Sequence, residues 1–191
     1  NLSAPAGWFG EEEHLQGAAI SRDGGLTWEL RGAVQAPAEA LENMILERRD
    51  GSLWMLIRTG AGVLWQSTSR DGGLTWSQGE PTAFVNPGVR FFIRRLNSGR
   101  VLFINTPDPR HRSTLLAYAS NGADGAPFGP GLMLDPRGED PARDLRSGVS
   151  YPDAVQAPDG MIYAVHDYDR HGAGEIVLDV FHEDELPFAP A

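Results

Sequence analysis

The sequence predicts an all-β fold assembled from repeated small antiparallel sheets, on three observations. The octapeptide Ser-Arg-Asp-Gly-Gly-Leu-Thr-Trp occurs twice, at 21–28 and 69–76, an offset of 48 residues. Three turns, Asp50-Gly51, Ser98-Gly99 and Asp159-Gly160, each divide two short apolar runs, which is the signal of a β-hairpin. No long apolar stripe at helical spacing with caps is present, and the one helix-like piece, 37–42, is too short to count.

The elements follow in order. The paired runs are 44–46 with 53–57, 91–93 with 101–104, and 154–155 with 161–165. A third strand is expected at 64–69, 115–120 and 175–181, then an octapeptide-type turn and a fourth strand. A degenerate third octapeptide starts at Ser120, keeping Asn121, Asp124, Gly125 and Phe128, at an offset of 51. Gly51 to Gly99 is again 48, whereas Gly99 to Gly160 is 61, so the polar stretch 135–146 reads as an insertion. Four short strands per 40 to 50 residues is the pattern of a β-propeller blade. In the octapeptide the Asp accepts backbone N–H bonds inside its own turn, Gly supplies positive φ and Trp fills space between sheets. Asp23 and Asp71 are therefore read as turn formers.

Composition narrows the function. Sixteen Lys and Arg against 26 Asp and Glu give a net charge of −10, which argues against a nucleic-acid partner. No apolar run approaches a membrane span. Cys is absent, which removes disulfides, Cys-ligated zinc and thiol nucleophiles and leaves the compartment open. His14, His111, His166, His171 and His182 have no metal-ligand spacing and are read as solvated or hydrogen-bonded; neither a metal nor a cofactor is expected. The chain opens at Asn1 without Met or a signal-like segment and is read as a mature product or a fragment.

Ser-x-Asp-x-Gly-x-x-Trp is the Asp-box. With this spacing the chain resembles the sialidase (neuraminidase) superfamily of six-bladed propellers with BNR repeats, over about residues 17–185. The runs Phe91-Phe92-Ile93-Arg94-Arg95-Leu96 and Ser150-Tyr151-Pro152-Asp153 resemble a bacterial branch of sialidase-like proteins. The resemblance implies retaining hydrolysis of a terminal acidic sugar, with a Tyr nucleophile activated by a Glu, three Arg clamping the substrate carboxylate, and an Asp as acid/base. It favours a secreted or periplasmic location. At about 48 residues per blade six blades need roughly 290 residues, so this chain is expected to supply about three and a half to four, as a partial propeller over 1–191.

The turns place candidate residues. Nine residues before Gly51, Gly99 and Gly160 stand Glu42, Arg90 and Tyr151, at matching positions on strands expected to line a propeller's channel. Glu42 precedes Arg58 by sixteen residues, and Arg112 lies eight before Ser120. Both spacings resemble the family's activating Glu and its second and third clamp Arg, and Tyr151 falls where the nucleophile belongs. The expected site is thus Tyr151 and Glu42 as catalytic residues, with Arg58, Arg112 and Arg90 binding substrate. Glu47 competes with Glu42, and Arg110 with Arg112. Asp153 is expected on the face of Tyr151. The family's Arg-Ile-Pro motif and early acid/base Asp have no counterpart here. Two other readings stay open: a carbohydrate-binding propeller without catalysis, and a lyase acting on uronate polymers.

Overall fold

A computed structural model describes residues 2–3, 15–37, 40–122, 124–137 and 148–188. The chain forms two compact units, Asn1–Ala83 and Phe84–Ala191. Among the described residues the regular structure is strand, apart from one 3-10 turn at Glu183–Glu185.

In the first unit, β1 (Leu2–Ser3), β2 (Leu15–Ile20) and β3 (Trp28–Gln35) form a sheet of order β1-β3-β2, with β1 parallel to β3. Next come β4 (Asn43–Glu47), β5 (Leu53–Ile57), β6 (Val63–Ser69) and β7 (Glu80–Val85, whose last two residues are counted with the second unit), hydrogen-bonded in sequence order as one blade-like sheet. Four of the five residues of β5 are buried, as expected of a second strand covered on both faces. Met55 and Ile57 pack with Val34 and Ala40, and Ala36, Ile45, Trp65 and Trp76 close over them. Of the helix-like piece, Ala38 and Glu39 lie outside the described residues, and Ala40 closes a turn onto the Pro37 carbonyl (3.1 Å).

The second unit contains β8 (Phe92–Arg95), β9 (Val101–Asn105), β10 (Leu115–Gly122), β11 (Gly125–Phe128) and β12 (Leu132–Asp135). The sheet runs β8-β9-β10, with β12 completing it along 115–117 and β11 bonding the far end of β10. All five residues of β9 are buried, and the Phe103 ring sits among Phe84, Phe91, Tyr118 and Phe128. Burial there pushes the Tyr118 hydroxyl up to about 12. Then β13 (Val149–Gln156), β14 (Met161–Tyr168) and β15 (Glu175–His182) form a three-stranded sheet. Burial alternates along β14 instead of running continuously, because Val155, Tyr163, Val165, Ile176, Leu178 and Val180 leave one face of this sheet in solvent. Arg94 donates to the Ala154 carbonyl (3.4 Å) and Gln156 accepts from the Asn97 amide (2.7 Å), setting β8 beside β13.

The three hairpins share one turn. Arg48, Leu96 and Ala157 each donate across the neck and accept a bond from the Gly three residues on, at 2.9 to 3.1 Å. Gly51, Gly99 and Gly160 have φ of 78°, 89° and 91°, which completes a three-residue loop ending in a left-handed residue.

The two Asp-boxes are also superposable networks. Asp71 Oδ1 accepts from the Ser69 hydroxyl (2.8 Å) and the Thr75 amide (2.9 Å), while its Oδ2 accepts from the Thr75 hydroxyl (2.5 Å). The Gly73 amide bonds to Ser69 Oγ (2.9 Å), and Trp76 Nε1 donates to the Gly73 carbonyl (3.0 Å). The first box repeats each bond: Asp23 accepts from Ser21 and Thr27, the Gly25 amide bonds to Ser21 Oγ, and Trp28 Nε1 donates to the Gly25 carbonyl. The hydrogen bonds from Thr27 and Thr75 come first among the causes that hold both carboxyls down at about 2. Trp76 fills the space between the first two sheets, as expected, but Trp28 is 44% exposed.

The degenerate third box builds a different turn. Ser120 Oγ accepts from the Val101 amide (2.8 Å) and donates to the Gly122 carbonyl. Its Asp stands four residues after the Ser instead of two, so the same ring of bonds cannot close. Most of the expected insertion, 138–146 of 135–146, lies outside the described residues.

Candidate active site

Antiparallel geometry puts the Gly turns and the Asp-boxes at one end of each sheet. The start of each first strand and the end of each second strand lie at the other. All five candidate residues occupy this second end of their sheets.

In the first unit Glu42 leads into β4, and Arg58 follows β5. The Arg58 amide donates to the Glu42 carbonyl (2.9 Å), and the Leu41 amide to the Arg58 carbonyl (3.1 Å), extending the hairpin past its strands. That pairing sets the side chains together: Arg58 Nη1 reaches Glu42 Oε2 at 2.6 Å, with the Arg58 side chain 9% and the Glu42 side chain 37% exposed. Glu47, the competing carboxylate, is exposed at the turn end of β4.

In the second unit Arg112 reaches the residue before Tyr151. Arg112 Nη1 donates to Ser150 Oγ at 3.0 Å, and the Arg112 carbonyl accepts the Val149 amide at 3.2 Å. Gly148 permits this approach, because a Cβ there would lie 1.9 Å from the Arg112 carbonyl oxygen. Arg110 is exposed, its amide turned onto Asp108, so Arg112 is the arginine that reaches β13.

Tyr151 sits in a β-bulge. Ser150 pairs with Asp167 and Asp153 with Val165, so three steps on β13 oppose two on β14. Pro152 has no N–H to give the ladder, and a bulge is where a strand tolerates it. Tyr151 takes φ 51°, a conformation costly for a bulky residue and found at sites the surrounding structure over-determines. Because of the extra residue, Ser150 rather than Tyr151 shares a register face with Asp153, which corrects the expectation from strict alternation. The Arg170 guanidinium lies over the Tyr151 ring, 4.1 Å from its centre.

Arg90 is half-buried just before β8, and its Nε is buried with no hydrogen-bond partner among the described residues. Thr106, seven residues after Gly99, is fully buried with its hydroxyl in the same condition. At the turn end, a groove lined by Ser98, Arg100, Gln156, His182 and Glu183 has its polar groups bonded to one another, as in Gln156 Nε2 to Glu183 Oε2 at 2.8 Å.

Asp167 and Arg170 escaped the sequence reading. A signal was available, since Asp167 stands seven residues after Gly160, as Arg58 does after Gly51. The histidines divide. His14 lies outside the described residues and His171 is exposed, but His166 is only 2% exposed, its Nε2 3.2 Å from Asp179 and 3.7 Å from Asp135. Burial and the nearby Asp135 push the Asp179 carboxyl up. For Asp135 burial acts in the same direction, but hydrogen bonds from Arg137 outweigh it and hold that carboxyl down.

This architecture is an all-β fold of the sialidase propeller type. The chain belongs to the BNR repeat-like domain family, whose model matches residues 9–164. It is similar in structure to the intramolecular trans-sialidase from Ruminococcus gnavus solved with oseltamivir carboxylate, at 25% identity and TM-score 0.66, over 90% of this chain and 39% of that one. The NanB sialidase from Streptococcus pneumoniae matches at 22% identity and TM-score 0.65, over 92% and 28%. An α-L-arabinanase from Penicillium chrysogenum, solved with arabinobiose, matches at 16% identity and TM-score 0.51, over 86% and 52%. The chain thus spans well under two thirds of the length of each. A comparison with curated proteins finds no sequence match.

Proposed function

We propose that this chain carries part of the active site of a sialidase-like exo-glycosidase acting on a terminal acidic sugar, and that it supplies about three and a half to four blades of a six-bladed propeller. The observation that supports this best is the grouping in the second unit: a guanidinium, Arg112, bonded to the residue preceding a Tyr held at positive φ. In this reading Tyr151 Oη forms a bond to the anomeric carbon as the glycosidic C–O bond breaks. Glu42 takes the phenol proton, a general acid protonates the departing oxygen, and water then releases the sugar. A phenol suits this role because, unlike a carboxylate, it does not repel the substrate's own anion before attack. Arg58 and Arg112 give that anion planar, charge-assisted contacts, and Arg90 is a further contact to the sugar.

The test is hydrolysis of an aryl α-sialoside by the longest natural polypeptide that carries this sequence. Tyr151→Phe is expected to lower kcat by roughly a thousandfold or more. A fully active Tyr151→Phe variant would remove the mechanism.

A second reading, a carbohydrate-binding propeller without turnover, is favoured by the tight Glu42–Arg58 pair, since a carboxylate bound to a guanidinium is a weak base. Glycan binding that survives Glu42→Gln, with no turnover at any pH, would select it. An unsaturated sugar product would select the uronate lyase instead.

A further inference from the structure

Arg170 is held from three directions. Asp167 Oδ2 accepts from both Arg170 Nε (2.7 Å) and Nη2, while Asp167 Oδ1 is buried with no hydrogen-bond partner among the described residues. The Asp167 side chain is 10% exposed, so its carboxylate serves this one guanidinium. The loop that presents Arg170 is closed on itself. Asp169 takes φ 46°, its carbonyl accepts from the Gly172 (2.9 Å) and Gly174 (2.8 Å) amides, and its side chain accepts from the Ala173 amide (2.8 Å). The Asp169 amide points to the Gly148 carbonyl (3.4 Å), tying the loop to the residue before β13. From this mount the guanidinium covers the Tyr151 ring.

A cation over an aromatic face is attracted by the ring's electron density. That density rises when a phenol loses its proton, because the negative charge spreads into the ring. The attraction is therefore larger at the moment of attack than at rest, the condition for an interaction to raise kcat and not only tighten binding. We infer that Arg170, anchored by Asp167, is a positioning residue for Tyr151: it fixes the ring plane and sets a positive charge against the ring as the phenol gives up its proton. The inference rests on the reading of Tyr151 as nucleophile.

The experiment uses the same polypeptide and aryl α-sialoside, with Tyr151→Phe, Arg170→Met, Arg170→Lys and Asp167→Asn. Arg170→Met is expected to lower kcat roughly tenfold with KM within about twofold. Arg170→Lys should recover part of the loss, and Asp167→Asn should lower kcat in the same sense. An NMR readout follows the contact itself: the Arg170 Hδ signals should be shifted upfield by the Tyr151 ring, and the shift should vanish in Tyr151→Leu. If Arg170→Met does not fold, Arg170→Lys and Asp167→Asn carry the kinetic test.

Turnover that needs Tyr151 but is unchanged by Arg170→Met overturns this role and leaves the nucleophile standing. A rise in KM at constant kcat also overturns it, by making Arg170 a substrate ligand. No turnover, or a Tyr151→Phe variant as active as the wild type, brings down the nucleophile reading and this role with it. A missing ring-current shift removes the contact whatever the kinetics show.

Discussion

Replacing Gly148 with Ala tests how tightly the second unit holds Arg112 against β13. The added methyl carbon would stand 1.9 Å from the Arg112 carbonyl oxygen and 2.7 Å from its Cβ. To reach ordinary van der Waals contact the two segments must part by more than about 1 Å. That movement strains or breaks the Val149 amide bond to the same carbonyl (3.2 Å) and draws Arg112 Nη1 away from Ser150 Oγ (3.0 Å). Overpacking costs about 1–3 kcal/mol and a lost hydrogen bond about 0.5–1.5 kcal/mol, together about 2–4 kcal/mol. For a chain of this size that is a fall in Tm of roughly 5–15 °C. Gly122→Ala is the control, because nothing lies within 4 Å of its added carbon. Thermal unfolding should separate the two, and KM for an anionic glycoside should rise in the Gly148 variant. A Gly148→Ala protein that melts with Gly122→Ala would refute the close approach and the anchoring of Arg112 built on it.

Three further expectations concern the frame. Trp76→Ala should cost about 2–4 kcal/mol in denaturant unfolding, since its ring closes a core, whereas the more exposed Trp28→Ala should cost less than about 1 kcal/mol; equal losses would contradict this packing. The Asp23 and Asp71 carboxyls titrate in the folded chain at about 2, below their ordinary 3.8, so their contribution to stability is present above pH 3.8 and is lost as pH falls toward 2. Carbon NMR should show midpoints near 2, with Thr75→Val moving Asp71 upward; wild-type midpoints at 3.8 would oppose it. The open face of the last sheet, with Ile176 at 78% and Leu178 at 58% exposed, should make the isolated chain self-associate. An Ile176→Lys, Leu178→Lys double variant should stay monomeric by light scattering without losing Tm, and a monomeric wild type would count against it.

What the sequence made legible is what it encodes locally. The Asp-box closes within eight residues, so Ser69, Asp71, Gly73, Thr75 and Trp76 declare it without help from the rest of the chain. The hairpin glycines do the same for register, and register brought Glu42 opposite Arg58. The rest depends on residues far apart in sequence. Neither the bulge at Tyr151 nor its partner Arg170, nineteen residues later, follows from periodicity, since a single inserted residue shifts the alternation by one. His166 takes the hydrogen-bonded of the two states open to it, and the partners it is buried beside, Asp179 and Asp135, lie on other strands. Trp28 and Trp76 share an identical octapeptide yet differ in exposure, because a repeat fixes its own turn and not what covers it.

The most direct test of the account is intact-protein and peptide mass spectrometry after exposing the longest natural polypeptide to an activated, fluorine-slowed sialoside. The account predicts a one-sugar mass increase on the peptide containing Tyr151, absent in Tyr151→Phe. Turnover of the aryl sialoside with no adduct, or an adduct on another residue, would contradict it.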